Sequence, residues 1–264
     1  MRLGWLTDIH LNFVSLPKRT AFYESLLNQN LDALLLGGDI GEADSAPRFL
    51  AEIEQALHAP IYFVLGNHDF YGSSIAEVRE TISRETAASS WLHWLSKNGV
   101  IPLTETTVLI GHDSWADGRL GDFFGSEVML NDYVLIQELR CSNKQERYTK
   151  LNALGDEAAE FLESRTREAL ASYRHVIVLT HVPPFRDACW HEGHISNDNY
   201  LPHFACRAVG DRLTAIMQER PDQCLTVLCG HTHSAGSARI SPNLVVHTGG
   251  AEYGEPTIQN VFEL

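Results

Sequence analysis

Five short, mostly apolar runs, each followed closely by polar side chains, constrain the fold of this chain more than any other feature. The side chains that follow the five runs are Asp8 and His10, then Asp39, then Asn67 with His68 and Asp69, then His181, and last His231 with His233. Buried parallel strands read as continuous Val, Ile and Leu, and ligands bind at the carboxyl ends of such strands. We therefore expect five strands to deliver these side chains to one site.

Helical spacing of apolar residues separates the runs. We expect helices that begin near Ser15 and Asp44, one from Ser73 to Lys97, one that Asp156 caps and that ends near Ser172, and one over 209–220. We expect residues 243–246 to pair antiparallel with a strand at 225–228. The alternation of strand and helix indicates an α/β fold with helices outside a sheet. Without an internal repeat or linker, the chain is predicted to be a single domain over residues 1–264, with loop elaborations near 111–140 and 183–204.

Charge and composition narrow the functional classes. The formal net charge is −14 and the pI about 5.3, which argues against a general nucleic-acid binder, because such proteins present a basic face. An acidic chain still accommodates a phosphate substrate, since bound metal cations dominate the local field.

The cellular setting is predicted from the cysteines and from the apolar runs. The chain has five cysteines, an odd number with no Cys-x-x-Cys pair, which is typical of free thiols in a reducing compartment. The first strand begins at the second residue and leaves no room for a signal segment, and no apolar run is long enough to span a bilayer. We expect a soluble, cytoplasmic protein.

The polar side chains after the runs suit metal binding. Imidazole nitrogen together with carboxylate oxygen is accepted by Zn, Fe and Mn. Seven candidates are too many for one tetrahedral ion and suit two ions that share a carboxylate: Asp8, His10, Asp39, Asn67, His181, His231 and His233. His68 lies beside Asn67, where an imidazole can protonate a leaving alkoxide while Asp69 fixes its orientation.

The ordered blocks resemble a known family. Asp8-x-His10, Gly38-Asp39, Gly66-Asn67-His68-Asp69, His181 and Gly230-His231-x-His233 follow one another as in the calcineurin-like metallophosphoesterase superfamily, which the series resembles from Asp8 to His233. Each block alone is common in turns with a satisfied His or Asp. Five in the family's order would require five coincidences.

The resemblance implies a fold, a metal centre and a mechanism. The implied fold is a four-layer α-β-β-α sandwich, with two mixed β-sheets flanked by helices. Asp8, His10, Asp39 and His233 would hold the first of two divalent or trivalent ions (Mn, Fe or Zn), with Asp39 bridging; Asn67, His181 and His231 would complete the second. His68, supported by Asp69, would be catalytic. The implied nucleophile is a metal-bound hydroxide that attacks a phosphate mono- or diester.

Several other polar residues are interpreted as structural or as pocket lining. His191, His194, His112, His203 and His247 have no second ligand cluster spaced to join them. Arg119 could contact a phosphate, since a guanidinium binds oxyanions in a bidentate manner, but a solvated loop charge is the simpler interpretation.

Three hypotheses for function remain open. The first is a small-molecule phosphoesterase, the second a nuclease of the same superfamily, and the third a non-catalytic protein-binding scaffold. The lack of a basic, aromatic-interleaved stripe argues against the nuclease, and the complete set of candidate ligands argues against the scaffold. The sequence identifies neither the substrate and its binding residues nor the oligomeric state.

Overall fold

The computed structural model describes all 264 residues. The strands are, in chain order, β1 Arg2–Leu6, β2 Ala33–Gly37, β3 Ile61–Val64, β4 Leu92–Trp94, β5 Ile101–Pro102, β6 Thr107–His112, β7 His175–Thr180, β8 Trp190–His191, β9 His194–Ile195, β10 Cys224–Cys229, β11 Gly236–Ser241, β12 Leu244–Thr248 and β13 Asn260–Glu263. The α-helices are α1 Leu16–Leu27, α2 Ala46–Leu57, α3 Ile75–Ala88, α4 Asp132–Leu135, α5 Lys144–Leu170, α6 Leu201–Phe204 and α7 Arg207–Gln218.

Two large mixed sheets form the centre of the molecule. The first has the strand order β13-β1-β2-β3-β4 and the second β11-β12-β10-β7-β6-β5. The strands β1 to β4 run parallel to one another, as do β6, β7, β10 and β12, and the antiparallel strands β13, β11 and β5 lie at the sheet edges. The central parallel strands are buried along almost their whole length, as their apolar runs predict.

Three apolar clusters define four layers. Leu35 of β2 and Leu179 of β7 belong to a cluster that joins the facing sides of the two sheets. Phe49 of α2 belongs to a cluster on the outer side of the first sheet. Leu162 of α5 and Leu213 of α7 belong to one on the outer side of the second. The predicted α-β-β-α arrangement, with mixed sheets flanked by helices, is confirmed.

The helix predicted from Ser73 to Lys97 is too long. It ends at Ala88, and Leu92–Trp94 forms an edge strand that pairs parallel with β3. The hydroxyl of Ser89 accepts hydrogen bonds from the N–H groups of Trp91 and Leu92 at 2.9 and 3.0 Å, which turns the chain out of the helix. The apolar side chains of Trp91, Leu92, Trp94 and Leu95 fit the spacing of a helix as well as that of a strand. Pairing with β3 stabilises the strand.

Helix α5 begins twelve residues before the predicted cap at Asp156. Its N-cap is Asn143, whose side chain accepts a hydrogen bond from the N–H of Glu146 at 2.9 Å. Gly155 lies inside the helix, next to the predicted cap. A Cβ there would stand 2.5 Å from the Cβ of Asp117, so the helix packs closely against that residue.

Residues 243–246 belong to a strand whose direction was predicted wrongly. This strand, β12, pairs parallel with β10, and its antiparallel neighbour is β11, which the sequence analysis missed. After β10 the chain forms β11 at the edge of the sheet and then returns as β12 between β11 and β10, so that β12 runs parallel to β10. A membrane-crossing helix is absent, since none of the helices combines the length and apolar character that such a span needs.

Candidate metal centre

The loops after the central strands of both sheets are tied together by hydrogen bonds. The N–H of Asp8 donates to the carbonyl of Gly38 at 3.0 Å, and the N–H of Gly230 donates to that of His181 at 2.9 Å. The N–H of His231 in turn donates to the carboxylate of Asp8 at 2.9 Å, which joins the two sheets. The carboxyl ends of β1, β2, β3, β7 and β10 therefore meet at one place, as the sequence predicts.

The backbone at this place is strained. In the whole chain, nine non-glycine residues have a positive φ, and five of the nine are predicted ligands: Asp8, His10, Asp39, His231 and His233. Such φ values are uncommon outside glycine and cluster at functional sites. The surrounding hydrogen bonds hold these residues in conformations that aim their side chains at one another.

Two glycines leave space for the buried carboxylates. A Cβ on Gly66 would overlap the carboxylate of Asp39, and a Cβ on Gly230 would overlap that of Asp8. The glycine that opens each of the two histidine-containing motifs is therefore required by close packing.

Four donors form a first group. Ligand atoms of Asp8, His10, Asp39 and His233 all lie within 4.8 Å of one another. Nε2 of His233 lies 3.1 Å from Nε2 of His10 and 3.5 Å from Oδ1 of Asp8. Two imidazoles and two carboxylates are a donor set that Zn, Fe and Mn accept.

A second group surrounds the amide oxygen of Asn67. This oxygen lies 3.0 Å from Nε2 of His181 and 2.9 Å from Nδ1 of His231. The outer nitrogens face backbone carbonyls, Nδ1 of His181 that of Gly37 at 2.9 Å and Nε2 of His231 that of His203 at 3.0 Å. Carbonyls in this position hold the proton of a ligating imidazole on the nitrogen that faces away from the metal.

Asp39 lies between the two groups. Its Oδ2 is 3.7 Å from Nε2 of His10 and 3.5 Å from Nε2 of His181. One carboxylate thus faces both sets of imidazoles.

The contacts of His231 fit a bound cation. Burial lowers the pKa of His231 to about 3, so its ring is neutral and carries a single N–H. Its two nitrogens nevertheless face two acceptors, the oxygen of Asn67 and the carbonyl of His203. A bound cation would resolve this conflict, because His231 and Asn67 would each offer it a lone pair.

The charge of the site also suits a bound cation. Burial, together with the carboxylates of Asp8 and Asp69, raises the pKa of Asp39 well above its usual range. No Lys or Arg lines the pocket that contains these groups. Among the buried carboxylates, Asp8 has His233 as a partner at 3.5 Å, but Asp39 has no Lys or Arg beside it. A buried carboxylate is costly without a positive charge, and the His and Asp cluster suits metal ions that would supply it.

His68 lies beside the ligand groups. Its backbone N–H donates to the carboxylate of Asp39 at 2.9 Å, and its ring centroid is 4.7 Å from that of His10 and 4.3 Å from that of Tyr71. Nδ1 of His68 is buried and has no hydrogen-bond partner, and the side chain lines the pocket. The imidazole thus forms part of the pocket wall, and no hydrogen bond fixes that nitrogen.

Asp69 supports the loops and not the ring of His68. Its carboxylate accepts hydrogen bonds from the N–H groups of Ile40, Gly41 and Gly66, each at 2.9 Å. It makes no hydrogen bond to His68, contrary to our expectation that it orients the imidazole. Asp69 instead joins the loop after β2 to the loop after β3, which fixes the backbone that carries Asp39 and His68.

Asp132 is a residue of the site that the sequence analysis missed. Its Oδ1 accepts hydrogen bonds from Nδ2 of Asn67 at 2.8 Å and from the hydroxyl of Tyr71 at 2.6 Å. These contacts direct the NH₂ of Asn67 to Asp132 and its oxygen to the two histidines. Asp132 lies in the 111–140 loop, 65 residues after Asn67, and it belongs to no recognisable sequence motif.

The pocket over the two groups has a volume of about 240 Å³. Both predicted loop elaborations contribute to it, with Leu130, Asn131 and Asp132 from one and His191 and Phe204 from the other. Tyr253, near the end of the chain, also lines it and was not predicted. His191 is therefore a pocket-lining residue, as its loop position suggested.

The other histidines singled out in the sequence join no group of possible ligands. Nδ1 of His112 accepts a hydrogen bond from the N–H of Ser114 at 3.0 Å, and Nε2 of His203 lies 2.9 Å from the hydroxyl of Ser126. His194 and His247 make local hydrogen bonds of the same kind. Their contacts are structural.

Arg119 lies in a different and larger cleft of about 660 Å³, between α5 and α7. Its guanidinium is 3.2 Å from the carboxylate of Asp117 and 2.8 Å from that of Asp156. The charge of Arg119 is thus neutralised by neighbours, and the residue does not line the metal pocket. The simpler of the two sequence interpretations, that of a loop charge without a phosphate role, agrees with these contacts.

Comparison with known proteins gives one family and several similar folds. The family described as calcineurin-like phosphoesterase matches residues 1–235. A phosphopantetheinyl hydrolase from Mycobacterium tuberculosis superposes with a TM-score of 0.67 at 12% identity, covering 96% of this chain and 89% of its own. A dimetal phosphatase from Danio rerio superposes with a TM-score of 0.59 at 13% identity, covering 97% and 89%. No curated protein matches the sequence.

Proposed function

Because the chain belongs to the calcineurin-like phosphoesterase family, we propose that its pocket holds two metal ions and hydrolyses a small phosphate mono- or diester. The observation that supports this most is the convergence of seven nitrogen and oxygen donors from five strand ends. Metal-dependent hydrolysis of a phosphoester is the general activity of such a chain; the ligand assignment, the role of His68 and the size of the substrate are our proposals.

We assign the ligands in two sets. Asp8, His10, Asp39 and His233 would hold one ion, and Asn67, His181 and His231, with Asp39 as the bridge, would hold the other. The distances around Asp39 support the bridge. Mn, Fe and Zn all accept such a set of ligands, and the supply in the cell decides among them.

The metals and His68 would share the chemistry. Two such ions supply Lewis-acid stabilisation of the charge that develops on the phosphoryl oxygens, and they activate water. His68 would carry a proton to the leaving oxygen. Burial lowers the pKa of His68 to about 2, so the ring is neutral in the protein alone. A bound phosphate dianion would raise the pKa, because an adjacent negative charge favours the imidazolium.

The pocket supports a small substrate. Its volume of about 240 Å³ is below the range of about 300–1,000 Å³ of drug-sized ligand sites. A nuclease would need cationic side chains along the phosphate backbone, and none lines this pocket. A non-catalytic scaffold would have no need of the ligand set and the free imidazole that this chain combines.

The test compares a chromogenic phosphate monoester with the matching diester after reconstitution with Mn, Zn or Fe. We expect metal-dependent turnover of at least one, and a loss of about 10²- to 10⁴-fold in kcat in His68→Ala, the usual contribution of a general acid. His68→Ala should keep both metals by elemental analysis, whereas Asp39→Ala should lose both. His58→Asn, which replaces an exposed histidine at the end of α2, is the matched control.

The outcomes separate the parts of the proposal. Unchanged kcat in His68→Ala contradicts the proton-transfer role, and full metal content in Asp39→Ala contradicts the bridge. Preference for the diester indicates a phosphodiesterase and preference for the monoester a phosphatase. Salt-sensitive binding of DNA would favour the nuclease, and a metal-free protein without turnover would favour the scaffold.

A further inference from the structure

Tyr253 brings an exposed aromatic ring to the edge of the metal pocket. It lies in the loop between β12 and β13, beyond the part of the chain that matches the family. Its ring centroid is 4.6 Å from that of His10, 5.2 Å from that of His233 and 6.3 Å from that of His68. The side chain nevertheless stays 49% exposed, so part of the ring is free to contact a bound molecule.

The loop that carries Tyr253 is held at several points. The N–H of Ala251 donates to the carbonyl of His233 at 3.1 Å. Gly250 exchanges two hydrogen bonds with the side-chain amide of Gln259, at 2.9 and 2.8 Å. Lys18 of α1 forms an ion pair with Glu255. The ring position is therefore set before a ligand arrives, which lowers the cost of ordering on binding.

Phe13 extends this aromatic surface. Its centroid lies 4.8 Å from that of Tyr253, with the rings at 64°, an edge-to-face contact. Phe13 follows His10 by three positions and is 53% exposed. We call Phe13 and Tyr253 the aromatic platform. The platform packs against the site and remains half-uncovered, although two adjacent aromatic rings are costly to leave in water.

The remaining lining of the pocket disfavours a charged leaving group. Phe204 and Leu130 are apolar, and Asp132 is acidic. No Lys or Arg is present to bind a second phosphate or a carboxylate. The metal ions would neutralise a single phosphoryl group. What is attached to it meets apolar and aromatic side chains together with the polar Asn131 and Thr232, and no cationic side chain.

We propose that the aromatic platform binds the leaving group of the substrate, and that the substrates are esters of a single phosphate with a flat, uncharged aromatic group. This inference rests on the proposed phosphoesterase function and specifies its substrate class. The platform lies near His68, which would give its proton to the leaving group. The leaving group should therefore lie beside the platform.

The test pairs an aromatic with an aliphatic probe in the metal-loaded protein. Turnover of phenyl phosphate and ethyl phosphate is followed by phosphate release, and binding of phenylphosphonate and methylphosphonate is followed by calorimetry. Tyr253→Ala should lower the phenyl-to-ethyl ratio of kcat/KM, and the phenyl-to-methyl ratio of affinities, by about 3- to 10-fold, the size of one aromatic stacking contact. Tyr253→Phe should keep the wild-type ratios.

Trp91→Ala is the matched control, since Trp91 is 38% exposed and lies directly before β4, the edge strand at the other side of the first sheet from β13. Equal losses on both members of each pair in Tyr253→Ala overturn the platform, as does a wild-type protein without a preference for the aromatic phosphonate. Hydrolysis of neither ester, together with no turnover of the chromogenic diester, by the metal-loaded wild type contradicts the proposed function itself. Hydrolysis of both esters with unchanged ratios contradicts only the platform.

Discussion

Asp132 determines which way the amide of Asn67 points. An amide offers an oxygen on one side and an NH₂ on the other, and only the oxygen is a metal ligand. The carboxylate of Asp132 is buried and accepts from Nδ2 of Asn67 and from the hydroxyl of Tyr71. It thereby selects the orientation in which the oxygen faces His181 and His231.

Replacing Asp132 by an apolar residue should weaken binding of the second metal ion. Asp132→Leu removes the acceptor for Asn67 and for Tyr71, whereas Asp132→Asn keeps an oxygen that accepts from both. We expect Asp132→Leu to lose about 10- to 100-fold in affinity for one of the two ions, the usual cost of removing a partner of a metal ligand, and Asp132→Asn to lose much less. Calorimetric titration of the metal-free variants measures both, and equal affinities in wild type and Asp132→Leu would refute the positioning role.

The residues of the site divide by whether a local pattern marks them. Every predicted ligand follows a strand within a few positions, and the structure brings all of them together. Asp132 lies far from the strand that precedes it, and Tyr253, although it follows β12, belongs to no motif. Both reach the pocket through loops whose paths depend on packing. Their contribution could be found only after folding, because the partners of Asp132 lie 61 and 65 residues away.

Helix α3 and the 111–140 loop stabilise each other next to the site. Ser74 and Glu77 form a capping box at the first turn of α3. The carboxylate of Glu138 adds a second cap from the loop, accepting from the N–H of Ile75 at 2.9 Å. The N–H of Gly72 also donates to the carbonyl of Leu135 at 3.0 Å. The short helix that carries Asp132 is held in place by these contacts.

Glu138→Ala should therefore destabilise the protein more than an ordinary surface change. It leaves N–H groups at the start of α3 without their acceptor and removes a negative charge from the positive end of the helix. We expect a loss of about 1–2 kcal/mol in the free energy of unfolding, measured by urea titration. Glu80→Ala, at an exposed position of the same helix, should change it by less than about 0.5 kcal/mol; equal effects of the two variants would argue against the cap.

At the level of elements, the sequence predicts well whether a segment is a helix or a strand. It predicts less well where that helix or strand begins and ends. The buried strands were recognisable because both of their faces are covered, so their apolar runs are unbroken. The end of α3 and the start of α5 were not recognisable. Trp91 to Leu95 fits the apolar spacing of a helix and of a strand, and Asp156, a residue typical of an N-cap, lies inside α5. The parallel direction of β12 depends on a crossover that no local pattern encodes.

On the scale of the whole molecule, the metal centre lies where two sheets meet and concentrates negative charge there. Asp8 and Asp39 come from the first sheet and are packed against ligands of the second. The chain as a whole carries a formal charge of −14, and no cationic side chain lines the pocket. Bound cations are thus expected to stabilise the contact between the two halves of the sandwich as well as the reaction.

Metal removal should consequently lower the thermal stability of the protein, and metal addition should restore it. A ligand that binds only the folded state, at a free concentration one hundred times its Kd, stabilises that state by about 2.7 kcal/mol. For a chain of this size that is roughly 5 to 10 °C in Tm per ion. Scanning calorimetry of chelator-treated protein with increasing Mn or Zn tests this, and the rise should saturate at two ions per chain. In Asp39→Ala the same additions should leave Tm nearly unchanged, since neither ion keeps its shared carboxylate. An equal rise in wild type and Asp39→Ala would mean that the stabilising ions bind elsewhere, and that the buried carboxylates are tolerated without them.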